Sequence, residues 1–473
     1  MKNINIKRLF KAESIGNTMI LISSIILIYL LVSIYFTRHY FFNTMVNGVN
    51  VSLKAHNDIE DKIKNHVKDY KLQLIERDGE VEEIIGQDIQ IRFNEKNSIS
   101  KIYETQNSFK WITSLFKKQE YYIDDLFDYN KENLEKKIKE LNCLNKEIIE
   151  PRNVRFKYSN GSYEMIKEVY GNKVKKNKLK LSIEENILRG ERELDLNENL
   201  CYENPQYALE SHKALETKNL LNKYIKTKII YIFGDENEVL DESTINKWLS
   251  VDEDLEVVIN EKAVLKYVEE LSKKYNTAGV VREFKTSLGK VLEVEGGFYG
   301  WKINIKDEKE LLLKNIKKGE SLEREPIYSQ KAVRRGSDDI GDTYVEINIT
   351  RQHLWFYKNG KIIAQGAVVT GNPNRGNSTN LGVYMLNYKQ KGATLRGANY
   401  ESEVTYWMPF NGNIGIHDAS WRYSFGGEIY KSNGTHGCVN VPLYLAKTIF
   451  ENIEEGTPVI CYEEEVMVKE YFY

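Results

Sequence analysis

The chain has 473 residues, of which 41% are hydrophobic and 29% charged; that balance excludes a disordered polymer, and the length exceeds one ordinary core. Lys and Arg total 67 against 69 Asp and Glu, a formal net charge of −2, so nothing in the overall charge points to nucleic acid. The charges are mixed in sign along the chain and read mostly as solvated surface.

The N-terminal stretch gives the first positional signal. From Ser14 to Thr37 no charged residue occurs, and the centre reads MILISSIILIYLLVSIYF. A run of that length crosses the hydrocarbon core as a helix. A cleaved signal peptide would have a shorter apolar region followed by small residues, whereas Ile34, Tyr35 and Phe36 close this one and Tyr40, Phe41 and Phe42 follow. The reading is a cytoplasmic tail over 1–13 and a transmembrane anchor over 14–37. Lys2, Lys7, Arg8 and Lys11 precede the span and only Arg38 follows it closely, so the positive-inside bias puts the C-terminal bulk outside the cell membrane. Residues 38–70 read as a lead-in segment with helical charge patterning.

The middle of the chain repeats itself. Val169-Tyr170-Gly171-Asn172-Lys173 aligns with Phe298-Tyr299-Gly300-Trp301-Lys302, and at the same offset Asn186-Ile187 and Gly190-Glu191 align with Asn315-Ile316 and Gly319-Glu320. Trp111 and Trp248 stand in comparable places with a few residues of slippage. Two copies of one α+β domain are expected, at 71–202 and 205–330, each with a helical stretch (NLEKKIKEL; AVLKYVEELSKKY) before strand-like segments such as KVLEVEGG. A catalytic site needs convergent groups, and neither copy offers them; His212 stands alone, so binding or spacing is the expected role. Arg334 to Asp339 is polar and reads as a linker.

The last third changes character. YVEINITRQHLWFY alternates, turns at Asn359-Gly360 and returns as KIIAQGAVVTG, a hairpin with suitable turn chemistry. LGVYMLNYK and TPVICYEEE are further strands, and PLYLAKTIFENIEEG is a helix entered at Pro442 and closed at Gly456. A β-rich domain is expected.

Within it, Gly415 to Pro442 reads GIHDASWRYSFGGEIYKSNGTHGCVNVP. Cys143, Cys201, Cys438 and Cys461 show no paired spacing, so neither a disulfide framework nor a zinc ribbon is indicated. Three of them fit buried apolar positions; Cys438, next to Gly437 and near two histidines, does not. A thiol nucleophile needs a lowered pKa, and two sources are visible: a histidine partner, and the positive end of the helix near Pro442 if Val439-Asn440-Val441 turn inward. His417, at the end of a strand-like run, suits the base role better than His436, which is too near along the chain for linear contact. The amides of Gly437 and Cys438 are natural oxyanion donors. A Cys-His₂ metal set of His417, His436 and Cys438 is the rival reading, and it lacks an evident fourth ligand or the usual spacing.

His417 followed at a distance by Thr435-His436-Gly437-Cys438-Val439-Asn440 resembles the signature of the L,D-transpeptidase catalytic domain (YkuD-type). The resemblance extends over about 342–463, including VVTGNP, LGVYML and YWMPFNGNIGIHDASWR; Thr379-Asn380-Leu381-Gly382 stands where the family usually has Thr-Pro-Thr-Gly. The duplicated region, through NTAGVVREFKTSLGK and GGFYGWKI, resembles the peptidoglycan-binding domain preceding such enzymes in Gram-positive bacteria. The resemblance implies a sandwich-like sheet assembly with Cys438 as nucleophile in a covered cleft, His417 as proton acceptor and donor, and Asp418 orienting it through its backbone carbonyl. His436 would orient or support, and Gly437 and Cys438 would line the oxyanion hole. It implies a peptidoglycan tetrapeptide as donor, release of D-alanine, a thioester, and a cross-link between third residues, with no cofactor or metal and with carbapenem-type lactams as acylating agents. Trp407, Phe410, Trp421, Arg422 and Asn440 are candidates to shape the cleft. Hydrolysis or D-amino-acid exchange at the same site, and a non-catalytic wall-binding scaffold, are the alternatives; the sequence leaves the oligomeric state open.

Overall fold

The computed structural model describes residues 6–94, 99, 102, 104–124, 126–336, 338–397 and 400–464; Lys2 lies outside the described residues. The chain divides into two units. The first takes residues up to Arg155 together with Met165–Ala214, and the second takes Phe156–Glu164 and the chain from Leu215 onward.

The first unit opens with a helix over Ile6–Tyr35. Its Gly16–Tyr35 portion has mean hydropathy 2.4 and is long and apolar enough to cross a membrane. The lead-in segment proves to be more than a connection. Strands Thr44–Val46 and Val49–Asn50 pair with each other, and the first also pairs in parallel with Gln119–Tyr121. Helix Ile59–Lys68 seals them, because Ile59, Ile63 and Val67 fall on one face at helical spacing. With Tyr40, Val46, Val49, Phe93 and Phe127 they form a separate core.

Both repeats show one plan. In the first copy, the hairpin Lys71–Ile75/Val81–Ile85 is followed by helices Lys131–Glu140 and Lys176–Arg189, and strand Glu193–Asp195 returns parallel to the first strand. In the second, hairpin Lys228–Phe233/Glu236–Leu240, helices Glu261–Tyr275 and Ile305–Lys318, and strand Ser321–Arg324 repeat the order. The second helix of each ends at a glycine in the left-handed region, Gly190 and Gly319, which explains why those two aligned in sequence. Trp111 and Trp248 are not equivalent. Trp248 lies in the core of the second copy, while Trp111 stacks on Tyr29 and Phe36 of the N-terminal helix.

Each copy also lends a hairpin onward. Phe156, Tyr158 and Tyr163, from the hairpin Arg155–Ser159/Ser162–Ile166, pack against the core of the second copy inside the second unit. The matching hairpin of the second copy, Arg282–Lys285/Val291–Val294, packs against the C-terminal domain, where Phe284 and Val294 meet Val383, Ile460 and Tyr462. That seam is main chain against main chain. A Cβ on Gly297 would stand 2.0 Å from the Val383 carbonyl oxygen, and one on Gly382 would stand 2.4 Å from the Gly297 nitrogen, so only glycine fits either side.

Among the described residues the C-terminal domain has nine strands: β1 Tyr344–Asn348, β2 His353–Lys358, β3 Lys361–Ala367, β4 Gly382–Met385, β5 Gln390–Gly397, β6 Tyr400–Asn411, β7 Ile414–Asp418, β8 Val439–Val441 and β9 Pro458–Tyr462. They form two sheets, in the orders β3-β2-β1-β9-β4 and β5-β6-β7-β8. Asn359 and Gly360 carry the positive φ angles that the β2–β3 turn requires. Val345, Ile347, Phe356, Met408, Phe410, Ile416 and Val439 fill the core together with Leu445 and Ile449 of the helix Leu443–Asn452. That helix stops at Asn452, before Gly456, and a short helix covers Ile429–Asn433.

The stretch expected to be a linker is locked in place. Asp339, 4% exposed, accepts from Arg282 Nε at 2.8 Å and Nη2 at 2.7 Å. Trp301 Nε1 donates to the Arg334 carbonyl, and the Arg335 guanidinium lies 4.2 Å from the Trp301 ring. A buried pair broken on one side leaves an uncompensated charge. Asp339→Ala should therefore cost the second unit about 3–5 kcal/mol, and adding Arg282→Met should recover most of it, which calorimetry of the full chain reads directly.

Candidate active site

The site is built where β7 lies between β6 and β8. β7 and β8 run parallel with Ile416 opposite Val439 and His417 opposite Asn440, and on the other side His417 faces Trp407 of β6. Strand side chains alternate, so Cys438 and Asn440 share a face, and His417 joins them on it. All three line one cleft of about 190 Å³, with Trp421, Arg422, Thr435 and His436. The cleft is flanked by Leu395 and Ser402 of the β5–β6 hairpin.

Asp418 fixes the histidine from two directions. Its backbone carbonyl lies 2.9 Å from His417 Nδ1. A carbonyl only accepts, so Nδ1 carries the proton and Nε2 keeps its lone pair. The Asp418 carboxyl is used elsewhere: Oδ1 accepts from the backbone amides of Thr405 and Tyr406 at 2.8 and 2.7 Å. It therefore ties β6 to the end of β7.

The turn carrying the thiol is closed by Thr435. Its hydroxyl donates to the Cys438 carbonyl at 2.6 Å and accepts from the Gly437 amide at 3.0 Å. Gly437 has φ +120°, a backbone state that needs glycine, and its carbonyl accepts from Thr379 Oγ1 at 2.7 Å. The Gly437 amide is thus occupied, contrary to the expectation that it faces an oxyanion. Thr435 is visible in the sequence as the first residue of the T-H-G-C run. The role of Thr379 is not, because its bond to Gly437 spans 58 residues.

Electrostatically the pair is neutral at rest. Cys438 is half-exposed at the cleft wall, yet its sulfur is enclosed by protein, and burial pushes the thiol up to about 11. Its Sγ–H donates to the Asn413 carbonyl at 3.5 Å. Burial also lowers the His417 pKa, a shift offset in part by the hydrogen bond to Asp418 and reinforced by nearby Arg422. The expected help from a helix end is missing. β8 is extended from Val439 to Val441, which carries the start of the helix about 13 Å from Cys438 along the chain at the usual strand rise.

The remaining candidates separate by position. Trp421 is 46% exposed at the cleft, 6.1 Å between ring centroids from His417. Trp407 is buried behind the histidine at 5.8 Å and donates from Nε1 to the Tyr388 hydroxyl, so it packs the imidazole without lining the cleft. Phe410 is core. Asn440 is buried in the cleft wall, and its Oδ1 has no hydrogen-bond partner. Arg422 lines the cleft with a buried Nε that is likewise unpartnered, and burial lowers its pKa. His436 lies at the cleft surface. Cys143, Cys201 and Cys461 are buried free thiols. Among the described residues, the one group of three or more acidic, Cys or His ligand atoms close enough for a metal is Glu76, Asp78 and Glu80; His417, His436 and Cys438 do not form one.

Residues 342–461 match the family profile described as the L,D-transpeptidase catalytic domain. Residues 84–195 and 212–324 each match the profile of a peptidoglycan binding domain. Among solved structures, the chain is 35% identical to the Ldtfm-avibactam carbamoyl enzyme, the match covering 53% of this chain and 99% of that one with a TM-score of 0.43. It is also 35% identical to a Cys-to-Ser mutant of the Enterococcus faecium L,D-transpeptidase, covering 52% and 100% with a TM-score of 0.42. Identity is 41% to the catalytic domain from the E. faecium L,D-transpeptidase acylated by ertapenem, covering 26% and 97% with a TM-score of 0.24. No curated protein matches the chain. With both profiles matched, and with 35% identity over the matched half of the chain to relatives that it covers almost end to end, the chain belongs to the L,D-transpeptidase family, a YkuD-type catalytic domain preceded by a duplicated peptidoglycan-binding region.

Proposed function

We propose that the chain is a membrane-anchored enzyme that joins the third residues of two peptidoglycan stems through a cysteine thioester. The observation that carries this reading is the shared cleft: the Cys438 thiol and a histidine held in the tautomer that leaves Nε2 free, both on one face of a parallel strand pair. The Gly16–Tyr35 helix serves as anchor, with the basic N-terminal residues inside and the catalytic domain facing the wall.

The chemistry follows from the neutral pair. Cys438 Sγ bonds to the carbonyl carbon of the third stem residue as its proton passes to His417 Nε2. The oxyanion is met by the Cys438 amide, since the Gly437 amide is bound to Thr435. The carbon–nitrogen bond breaks as His417 returns the proton to the amine of D-alanine, leaving a thioester. The side-chain amine of a second stem's third residue then attacks, His417 takes its proton, and the sulfur leaves and is reprotonated. One amide replaces another, so no nucleotide is needed. Arg422 fits as the anchor for the carboxylate of the departing residue. The leaving amine must sit beside His417, its carboxylate is one carbon further on, and among the described residues no acidic side chain lines the cleft to occupy the guanidinium. Water in place of the second amine would give a free tripeptide, and carbapenem-type lactams would acylate the same sulfur.

Cys438→Ala should abolish D-alanine release from a purified tetrapeptide muropeptide; release at the wild-type rate in that variant would end the nucleophile assignment, and a wild-type product of tripeptide alone would leave hydrolysis as the activity. Because burial lowers the His417 pKa and raises that of Cys438, the competent neutral pair persists from below pH 6.5 to about 11. The acid limb of kcat/KM should accordingly lie below pH 6.5 and the alkaline limb near the thiol value; an acid limb above 6.5 would indicate an ion pair at rest. Arg422→Gln should raise KM by about 10–100-fold for a donor ending in a free carboxylate while barely changing that for the C-terminally amidated donor. Equal losses on both donors would remove Arg422 from carboxylate binding.

A further inference from the structure

We infer that the segment Ser108–Phe116 of the first unit lies in the membrane interface, its apolar stripe in contact with the lipid of the leaflet from which the N-terminal helix emerges. This rests on the reading of that helix as the anchor. Ser108–Leu115 is a 3₁₀ helix capped by the Asn107 side chain, and residues three apart in such a helix lie directly above one another. Phe109, Ile112 and Leu115 therefore make one stripe, and they are 56%, 44% and 44% exposed. Phe116, the residue that caps the helix just beyond Leu115, is 86% exposed. The next stripe, Trp111 and Ser114, faces the anchor, and the third, Lys110 and Thr113, is polar.

The depth of this segment is set by what it holds. The Tyr29 hydroxyl donates to the Phe109 carbonyl at 2.5 Å, and the Trp111 ring packs 5.8 Å from Tyr29 and 6.2 Å from Phe36. Gln106 Nε2 donates to the carbonyls of Phe36 and His39, and Asn43 Nδ2 donates to that of Ser114. These bonds fasten the segment to the last turns of the helix, so it goes where the helix goes. Tyr29 stands six residues inside Tyr35, about 9 Å along the axis at 1.5 Å per residue. A segment bonded at that level is below the point where the span leaves the hydrocarbon, at the depth that interfacial segments occupy. Its composition suits the place: aromatic rings at the headgroup level, with Lys110 and Lys117 flanking them for anionic headgroups. Nothing in the first repeat's matching plan requires it, since the second copy has Trp248 in its core instead.

The test uses the full chain in phosphatidylcholine–phosphatidylglycerol vesicles, with Cys438→Ser to remove the accessible native thiol. A polarity-sensitive dye is placed by Phe116→Cys, by Leu27→Cys within the span, or by Val81→Cys on an exposed strand of the same unit. The Phe116→Cys reporter should show blue-shifted emission and lose intensity most to lipids spin-labelled near the headgroup. Leu27→Cys should be quenched by deeper labels, and Val81→Cys should stay water-like. A water-like Phe116→Cys reporter with a quenched Leu27→Cys reporter overturns the inference and leaves the anchor standing. Both water-like would overturn the anchor reading and the inference with it. A blue shift at Phe116→Cys that no lipid label quenches would mean that protein covers the stripe, which also overturns it.

Discussion

The parallel pairing of β7 with β8 is the constraint on which the site depends. Parallel strands need a crossover, and here the crossover is the twenty-residue loop that brings the T-H-G-C turn back beside the strand it left. Register does the rest. With His417 opposite Asn440, a slip of one residue would turn the imidazole to the core face and the thiol away from it. Asp418 guards that register chemically, because its carboxyl is held by the amides of β6 while its carbonyl holds His417. One residue therefore positions the cleft face of three strands without touching the thiol.

Burial then sets the resting state. Removing both groups from water disfavours the thiolate and the imidazolium alike, and the shifts run in opposite directions, the thiol upward and the imidazole downward. Proton transfer between them creates two charges in a place that stabilises neither alone, so it becomes favourable only alongside a carbonyl that takes up the negative charge. In the proposed mechanism, reactivity is thereby tied to an occupied cleft. An idle sulfur of this kind is also poorly oxidised, since oxidation follows thiolate character, which suits a chain whose bulk would face an oxidising exterior.

Local chemistry was legible in the sequence and distant contact was not. The apolar run of the N-terminal helix, the Asn359-Gly360 turn and the spacing of Leu445, Ala446 and Ile449 each follow from periodicity or turn rules that act within a few residues. The duplication was visible because Gly190 and Gly319 perform one backbone task, closing a helix. The supposed linker failed as a reading because Asp339 looks like any surface acid until Arg282, far upstream, is found beneath it. The helix after Pro442 stays away from Cys438 for a different reason: Val439-Asn440-Val441 is β-branched at both ends and runs extended instead of turning inward. Thr435 could have been found from its place in the motif; Thr379 and the occupied Gly437 amide could not.

The glycine seam joins these two scales. Gly296 and Gly297 of the second repeat press against Gly382 and Val383 at the start of β4, with the Val383 amide donating to Gly296 and the Tyr299 amide donating to Val383. Three residues before Gly382, Thr379 donates to the carbonyl of Gly437 and accepts from the amide of Gly371. The stretch Thr379–Gly382 is therefore fixed at one end by the repeat and at the other by the turn that bears Cys438. The family's proline is absent from this stretch, and hydrogen bonds at both ends supply the restriction a proline ring would otherwise impose. A peptidoglycan-binding repeat and the Thr435–Cys438 turn are in this way held by the two ends of one four-residue segment, which makes the repeat part of the scaffold that Cys438 stands on.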